Sequence, residues 1–221
     1  MPTIFERAAE LVPDGATIGL GSGRAAHAFV RLLGQHVAAG RLRIKGVPTS
    51  ESTAQLAREV GVPLVTLAEA GELALTVDGA DEVAPNRDLI KGWGRALVRE
   101  RIVAESSRRL VILVGEEKLV PQLGTRGKLP VEVLPFGLPL AQRRLRALGL
   151  EPVLDVRDEV PFLTDNGNYI LDCKLSPVSH ARELDSAIRA IPGVVGTGFF
   201  LGLASAVLIG RGDAMELVSE R

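Results

Sequence analysis

The sequence contains little of several residue types, and each shortage excludes a class of protein. Cys173 is the one cysteine in 221 residues, so the chain can form neither an internal disulfide nor a cysteine metal site. No apolar run approaches the roughly 20 residues that a membrane-spanning helix needs, and the N-terminus lacks the basic and apolar segments of a secretory signal. Neither charge dominates, since 26 Lys and Arg face 27 Asp and Glu. We therefore expect a cytoplasmic protein with no membrane and no nucleic-acid partner.

The residues that are present indicate a globular α/β protein. Apolar residues make up 46% of the chain and charged residues 24%, as in ordinary folded domains. The first half predicts strands at 16–20, 43–47, 63–67, 73–77 and 110–114, and helices at 25–37, 51–60 and 94–106. Strands separated by helices of this length are typical of a mostly parallel sheet.

After residue 127 the order of the elements changes. Strands are predicted at 131–134, 152–156, 169–174 and 194–200, and helices at 140–148 and 182–191. This β-α-β-β-α-β order is that of a ferredoxin-like unit, and the apolar segment 204–209 can return to the first sheet. We predict a Rossmann-like, mostly parallel sheet with helices on both faces, formed by 1–125 and 201–221. A ferredoxin-like α+β domain at 126–200 would be inserted into it.

A glycine-rich turn follows the first predicted strand. It comprises Gly21, Ser22, Gly23, Arg24, Ala25 and Ala26. Glycines let the backbone approach an anion, and the N-terminus of the following helix attracts negative charge, so the turn favours phosphate. The same residues fit a dinucleotide fingerprint, but Thr49 and Ser50 stand where that fingerprint expects an acidic residue. Phosphate binding, dinucleotide binding and a plain turn all remain possible.

Other polar residues also follow predicted strands, where ligands of parallel sheets bind. They are Thr49, Ser50, Asp78, Asp81 and Lys118. The Asp78 and Asp81 pair could hold sugar hydroxyls, bind a cation, transfer protons or only cap the strand. With no histidine or third carboxylate nearby in the sequence, we predict no metal site. Lys91, before the next helix, could meet an anion or lie in solvent.

Glu100 is placed unusually within its helix. At about 100° per residue, the apolar residues Ala96, Leu97, Val103 and Ala104 form a stripe about 120° wide, and Glu100 falls in its middle. Poor solvation there would raise the pKa of the carboxyl group and suit it to act as a base. The alternative is a structural glutamate paired with an arginine.

Taken in order, these segments resemble ribose-5-phosphate isomerases of the A type. The shared segments are Gly21-Ser22-Gly23, Asp78-Gly79-Ala80-Asp81, Lys91-Gly92-Trp93-Gly94 with Glu100, and Gly115-Glu116-Glu117-Lys118. The resemblance implies a cofactor-free aldose–ketose isomerase that interconverts ribose 5-phosphate and ribulose 5-phosphate in the pentose phosphate pathway. It also implies a homodimer or homotetramer.

The resemblance further implies roles for individual residues. Glu100 would be the base that moves a proton through an enediolate, and Lys91 would stabilise the oxyanion. Asp78 and Asp81 would hold sugar hydroxyls and assist ring opening. Substrate would also contact Ser22, Gly23, Arg24, Ala25, Gly79, Ala80, Gly92, Trp93, Gly94 and Lys118.

The sequence departs from the family in the predicted site. Arg24 and Ala25 replace two hydroxyl residues of the family's first loop, and Trp93 and Arg95 replace small residues of its second. Arg24 could bind phosphate in their place. The departures leave other hypotheses open: an isomerase of another sugar phosphate, a sugar-phosphate sensor without activity, and a nicotinamide-dependent enzyme.

Overall fold

The computed structural model describes residues 3–211 and 214–218. The helices are α1 (Ile4–Glu10), α2 (Arg24–Ala38), α3 (Glu51–Glu59), α4 (Leu67–Ala70), α5 (Leu97–Glu105), α6 (Leu138–Ala147) and α7 (Ala181–Arg189). The strands are β1 (Thr17–Leu20), β2 (Lys45–Pro48), β3 (Thr76–Asp78), β4 (Glu82–Val83), β5 (Leu89–Ile90), β6 (Leu110–Gly115), β7 (Lys128–Val133), β8 (Glu151–Leu154), β9 (Val156–Arg157), β10 (Val160–Pro161), β11 (Tyr169–Lys174), β12 (Val194–Thr197), β13 (Phe199–Phe200), β14 (Ala204–Arg211) and β15 (Ala214–Val218).

Contacts between residues divide the chain into two compact units. The first unit contains Arg99–Lys118 together with the described residues up to Ala80 and from Leu203 onward. The second unit contains Asp81–Val98 and Leu119–Gly202. These units assign 81–98 and 119–125 to the smaller part of the chain, whereas the sequence predicts a domain at 126–200. That domain boundary stays a prediction.

The first unit is built on a six-stranded sheet in the order β15-β14-β6-β3-β1-β2. Only β15 runs antiparallel to its neighbour, so the predicted, mostly parallel sheet is confirmed, as is the return of β14 to it. The strand predicted at 63–67 is wrong. Leu64 forms an isolated bridge with Gly46, but the chain does not continue as a strand. Thr66 and Glu69 form a capping box that begins α4, and this helix start ends the extended segment.

Helices cover both faces of this sheet because side chains alternate along its strands. In and beside β3, Leu75 and Val77 join the core formed with α1, α2 and α3. The intervening Thr76 faces the other side, where its hydroxyl donates to the carbonyl oxygen of Val103 on α5. Gly19 on β1 leaves room for the Thr76 side chain, since a Cβ at that position would lie 1.9 Å from Thr76 Oγ1.

The second unit contains the ferredoxin-like arrangement that the sequence predicts. Its four-stranded sheet has the order β12-β7-β11-β8, and all neighbours are antiparallel. The single strand predicted at 194–200 is two strands in the structure, divided at Gly198. The first, β12, belongs to this sheet, and the second, β13, pairs with β5 in a separate three-stranded sheet. A Cβ at Gly198 would lie 2.4 Å from the carbonyl oxygen of Lys91, so the division requires glycine.

Cys173 lies on β11 as a free and fully buried cysteine. Burial raises the pKa of its thiol to about 12, and the charge of Asp172 acts in the same direction. The thiol is therefore protonated at neutral pH and is a core side chain rather than a nucleophile.

Candidate functional site

The predicted site residues fall in both compact units. Those of the first unit are Ser22, Gly23, Arg24, Ala25, Asp78, Gly79, Ala80, Glu100 and Lys118, and those of the second are Asp81, Lys91, Gly92, Trp93 and Gly94. Each group is built by its own local structure.

A cluster of hydroxyl groups follows β1 and β2 in the first unit. Ser22 Oγ lies 2.7 Å from Thr49 Oγ1, 2.7 Å from Ser50 Oγ and 3.0 Å from Thr53 Oγ1. Ser50 is the N-cap of α3 and accepts a hydrogen bond from the backbone N–H of Thr53. Parallel neighbours β1 and β2 end at the same edge of the sheet, which is why residues 27 positions apart meet here.

His27 on α2 extends this cluster. Its Nε2 lies 3.0 Å from Thr53 Oγ1. Burial lowers the pKa of His27 and the nearby charge of Arg31 lowers it further, against an opposing effect of Asp78. The imidazole is therefore neutral at neutral pH and joins the cluster as a hydrogen-bonding group.

Asp78 ends β3 and is completely buried. Its Oδ1 accepts hydrogen bonds from the backbone N–H groups of Ser22, at 3.1 Å, and Gly79, at 2.8 Å. A Cβ at Gly21 would lie 2.2 Å from the same oxygen. The carboxylate therefore holds the glycine-rich turn close against the end of β3.

The N-terminus of α2 is open to an anion. Its N-cap, Gly23, has a φ of 93° and provides no side-chain hydrogen bond to the first turn. Arg24 is the first helical residue and is exposed. The uncapped N–H groups, the helix dipole and a guanidinium all favour negative charge at this point.

Glu100 lies on α5 with 4% of its surface exposed, so its predicted burial is confirmed. Arg99, the residue before it, forms an ion pair with Glu51, with 2.8 Å between Nη1 and Oε1. Lys118 ends a short 3-10 helix after β6 and is partly buried. A carboxyl group with so little access to water is a proton acceptor whose strength depends on the groups around it.

In the second unit, Lys91 follows β5 and is 2% exposed. Its backbone N–H donates to the carbonyl oxygen of Gly198 at 2.8 Å, and its ammonium group lies 5.4 Å from the centre of the Phe200 ring. The next residue, Gly92, has a φ of 99°, and a Cβ there would lie 2.8 Å from Leu97. The backbone hydrogen bond to Gly198 and the glycine at position 92 thus fix the backbone on both sides of the Lys91 side chain.

Trp93 is held by groups on several sides. Its backbone N–H donates to Asp81 Oδ2 at 3.0 Å. The Lys128 ammonium lies 4.5 Å from the centre of its ring, and the Arg126 guanidinium carbon lies 5.3 Å from it. Cations within about 6 Å of an indole ring are attracted to it.

Arg95 forms ion pairs with two carboxylates. Its Nη1 and Nη2 donate to the two oxygens of Asp172 at 2.7 and 2.8 Å, and its Nε lies 2.9 Å from Asp155 Oδ2. Burial would lower the pKa of Arg95, but Asp172 and Asp155 raise it above its usual value. Burial would raise the pKa of Asp172, but Arg95 and Lys128 hold it below its usual value.

Among residues 3–211 and 214–218, no group of three or more His, Cys, Asp or Glu could hold a metal ion. No helix within the same residues has the length and hydropathy to cross a membrane.

Comparison with known proteins identifies the family. The profile of ribose 5-phosphate isomerase A, also called phosphoriboisomerase A, matches residues 45–214. The chain belongs to this family. A ribose-5-phosphate isomerase A of Gloeobacter violaceus is 50% identical over 218 residues, which covers 98% of this chain and 94% of that protein.

Solved structures of the ribose 5-phosphate isomerase A family agree along the whole chain. The enzyme of Methanocaldococcus jannaschii aligns with a TM-score of 0.93 and 38% identity, covering 99% of this chain and 97% of its own. A D-ribose-5-phosphate isomerase in complex with phospho-erythronic acid aligns with a TM-score of 0.94 and 33% identity, and each chain is covered completely. The predicted fold and family resemblance are confirmed.

Four residues that the sequence did not predict contact predicted site residues or their loops. Thr53 and His27 belong to the hydroxyl cluster, and Asp155 and Asp172 bind the loop that follows β5. Thr53 stands three residues after the N-cap Ser50, a spacing that could have indicated it. No local pattern could have indicated Asp172, which lies 77 residues from Arg95.

Proposed function

We propose that this chain interconverts D-ribose 5-phosphate and D-ribulose 5-phosphate, the isomerisation in the non-oxidative branch of the pentose phosphate pathway. The main support for this proposal is the buried carboxyl group of Glu100 in a chain of the ribose 5-phosphate isomerase A family. The reaction needs a base and groups that stabilise an oxyanion, and it needs neither a metal nor an organic cofactor.

Glu100 is the base of the proposed mechanism. Its carboxylate removes the proton from C2 of the open-chain aldose, and the electron pair of that bond forms an enediolate. The resulting carboxylic acid returns the proton to C1, while a second proton moves from the C2 hydroxyl to the C1 oxygen. The 4% exposure of Glu100 supports this role, since a poorly hydrated carboxylate is a stronger base.

Lys91, Asp78 and Asp81 complete the proposed chemistry. Lys91 donates to the oxyanion that develops during enolisation, a role supported by the 2% exposure of this lysine. Asp78 and Asp81 accept hydrogen bonds from the sugar and assist ring opening. Both carboxylates already accept bonds from backbone N–H groups, which supports fixed orientations for them.

Phosphate is proposed to bind at the start of α2. The uncapped N-terminus after Gly23, the guanidinium of Arg24 and the hydroxyl of Ser22 support this assignment. Lys118 supplies a further cation in the same unit. Ala25, Gly79, Ala80, Gly92, Trp93 and Gly94 are proposed as the remaining substrate contacts.

Replacing Arg24 with alanine is expected to raise KM for ribose 5-phosphate about tenfold and to change kcat much less, because a charge-assisted bond to phosphate acts equally on substrate and transition state. Steady-state kinetics measures both constants. Arg41→Ala removes an exposed arginine elsewhere in the first unit and serves as the control. An unchanged KM in Arg24→Ala would remove this residue from phosphate binding.

The function itself is tested by incubating the purified protein with ribose 5-phosphate and EDTA and measuring ribulose 5-phosphate. Metal-independent turnover is expected. Binding without turnover would identify a sugar-phosphate sensor, and turnover of a different pentose or hexose phosphate only would identify a changed specificity. The departures at Arg24 and Trp93 make both comparisons necessary.

We also propose a cytoplasmic homodimer or homotetramer. Exposed apolar side chains of the second unit support association through that unit, and they include Leu134, Phe136, Val153, Val156, Val160 and Leu163. Phe136 has no protection from solvent at all in the single chain.

A further inference from the structure

The loop that carries Lys91 contains a feature that the proposed reaction does not explain. Arg95 has a φ of 70°, a left-handed conformation that is unfavourable for a residue with a side chain. Its side chain is only 12% exposed and forms three short contacts with Asp155 and Asp172. A strained backbone persists only where surrounding groups hold it in place, and here the two carboxylates supply that hold.

The carboxylates belong to the ferredoxin-like body of the second unit rather than to the loop. Asp172 lies on β11, whose backbone pairs with both β7 and β8. Asp155 lies between β8 and β9, and its backbone N–H donates to the carbonyl oxygen of Ile170 on β11. Two anchors on a hydrogen-bonded sheet can therefore hold the guanidinium fork in one orientation.

Arg95 is also connected to the residues that precede it. Its backbone N–H donates to the carbonyl oxygen of Gly92 at 2.9 Å, which closes the turn that follows Lys91. Asp172 also contacts Lys128 at 3.5 Å, and the ammonium of Lys128 lies over the Trp93 ring. Charge and hydrogen bonds thus connect Arg95 to the loop by two routes.

We propose that Arg95 is a positioning residue that, through its fork on Asp155 and Asp172, holds the 91–95 loop in the conformation in which Lys91 can stabilise the oxyanion. The fork links a segment rich in glycine, and therefore costly to order, to a rigid sheet. This inference rests on the proposed function for the role of Lys91, but the holding of the loop is a separate property of the fold.

Trp93 is the one tryptophan of the chain, so its fluorescence reports on this loop directly. In Arg95→Ala we expect a red shift of the emission and stronger quenching by acrylamide, both measured without substrate. We also expect kcat to fall by about tenfold or more, with a smaller change in KM, because misplacing an oxyanion donor acts on the transition state. Added ethylguanidinium is expected to restore part of both the emission and kcat.

Two further variants keep the test decisive. Asp172→Asn leaves Arg95 in place, preserves side-chain size, and is expected to shift the emission and kcat in the same direction. Arg157→Ala removes a second guanidinium near Asp155. The side chain of Arg157 is 56% exposed, and its Nη2 lies 3.5 Å from Asp155 Oδ2. This variant is expected to leave the emission and kcat at their wild-type values.

The proposal is overturned if folded Arg95→Ala and Asp172→Asn keep the wild-type emission and kcat, or if Arg157→Ala changes them as much. Loss of folding in Arg95→Ala moves the decision to Asp172→Asn. If the wild-type protein has no isomerase activity, the proposed function fails, while the fluorescence results still decide whether the fork holds the loop.

Discussion

Replacing Glu100 with glutamine is expected to lower kcat for ribose 5-phosphate by about 10³-fold, within the range typical of a lost general base. The amide has nearly the same size as the carboxylate but cannot accept a proton at neutral pH. Because Glu100 is 4% exposed, water cannot easily replace it as the base. Binding of the sugar phosphate, measured by calorimetry, is expected to remain close to that of the wild type.

Glu105→Gln provides the matched control for this substitution. Glu105 lies on the same helix, is exposed, and pairs with Arg101 at 2.9 Å. Its replacement is expected to leave kcat within about twofold of the wild-type value, as for a surface pair of small energetic effect. If Glu100→Gln also retained near-normal kcat, another residue would have to be the base.

Replacing Lys91 with methionine is expected to lower kcat by about 10²–10³-fold, the usual effect of removing one donor to a developing oxyanion. Methionine fills a similar volume and suits a position that is 2% exposed beside the Phe200 ring. We therefore expect the folded protein to remain, as checked by circular dichroism. Because the charge acts mainly in the transition state, KM should change less than kcat.

Lys174→Met is the control for the lysine substitution. Lys174 belongs to the same unit but is 72% exposed, and its ammonium group contacts Glu151 at the surface at 3.4 Å. Each of the two substitutions removes one positive charge, so the two variants have the same net charge. Equal loss of activity in both variants would contradict a specific role for Lys91 and indicate a general effect of charge.

The sequence indicated most of the first unit and most of its candidate site residues. Alternating apolar strands and helices predict the parallel sheet, and the carboxyl ends of parallel strands meet at one edge. That rule correctly associated Ser22 with Thr49 and Ser50. The burial of Glu100 was also predictable, because helical periodicity is a local property that does not depend on knowing the neighbouring elements.

Elements of two residues could not be predicted in this way. β4, β5 and β13 form the three-stranded sheet that leads into Lys91, but two residues are too few to show an alternating pattern. The strand predicted at 63–67 was wrong for a related reason. Its apolar run contains both the bridge at Leu64 and the start of the short helix α4, and each is too short to show its own pattern.

The sequence by itself determined the layers of the fold, the glycine-rich turn and the buried carboxylate, because each follows from the order and spacing of residues close together in the chain. Only the tertiary structure decided that Arg95 binds Asp155 and Asp172 and that His27 joins the hydroxyl cluster. Those contacts join residues between 26 and 77 positions apart. They form only when packing of the sheets brings distant segments together, and no local periodicity carries that information.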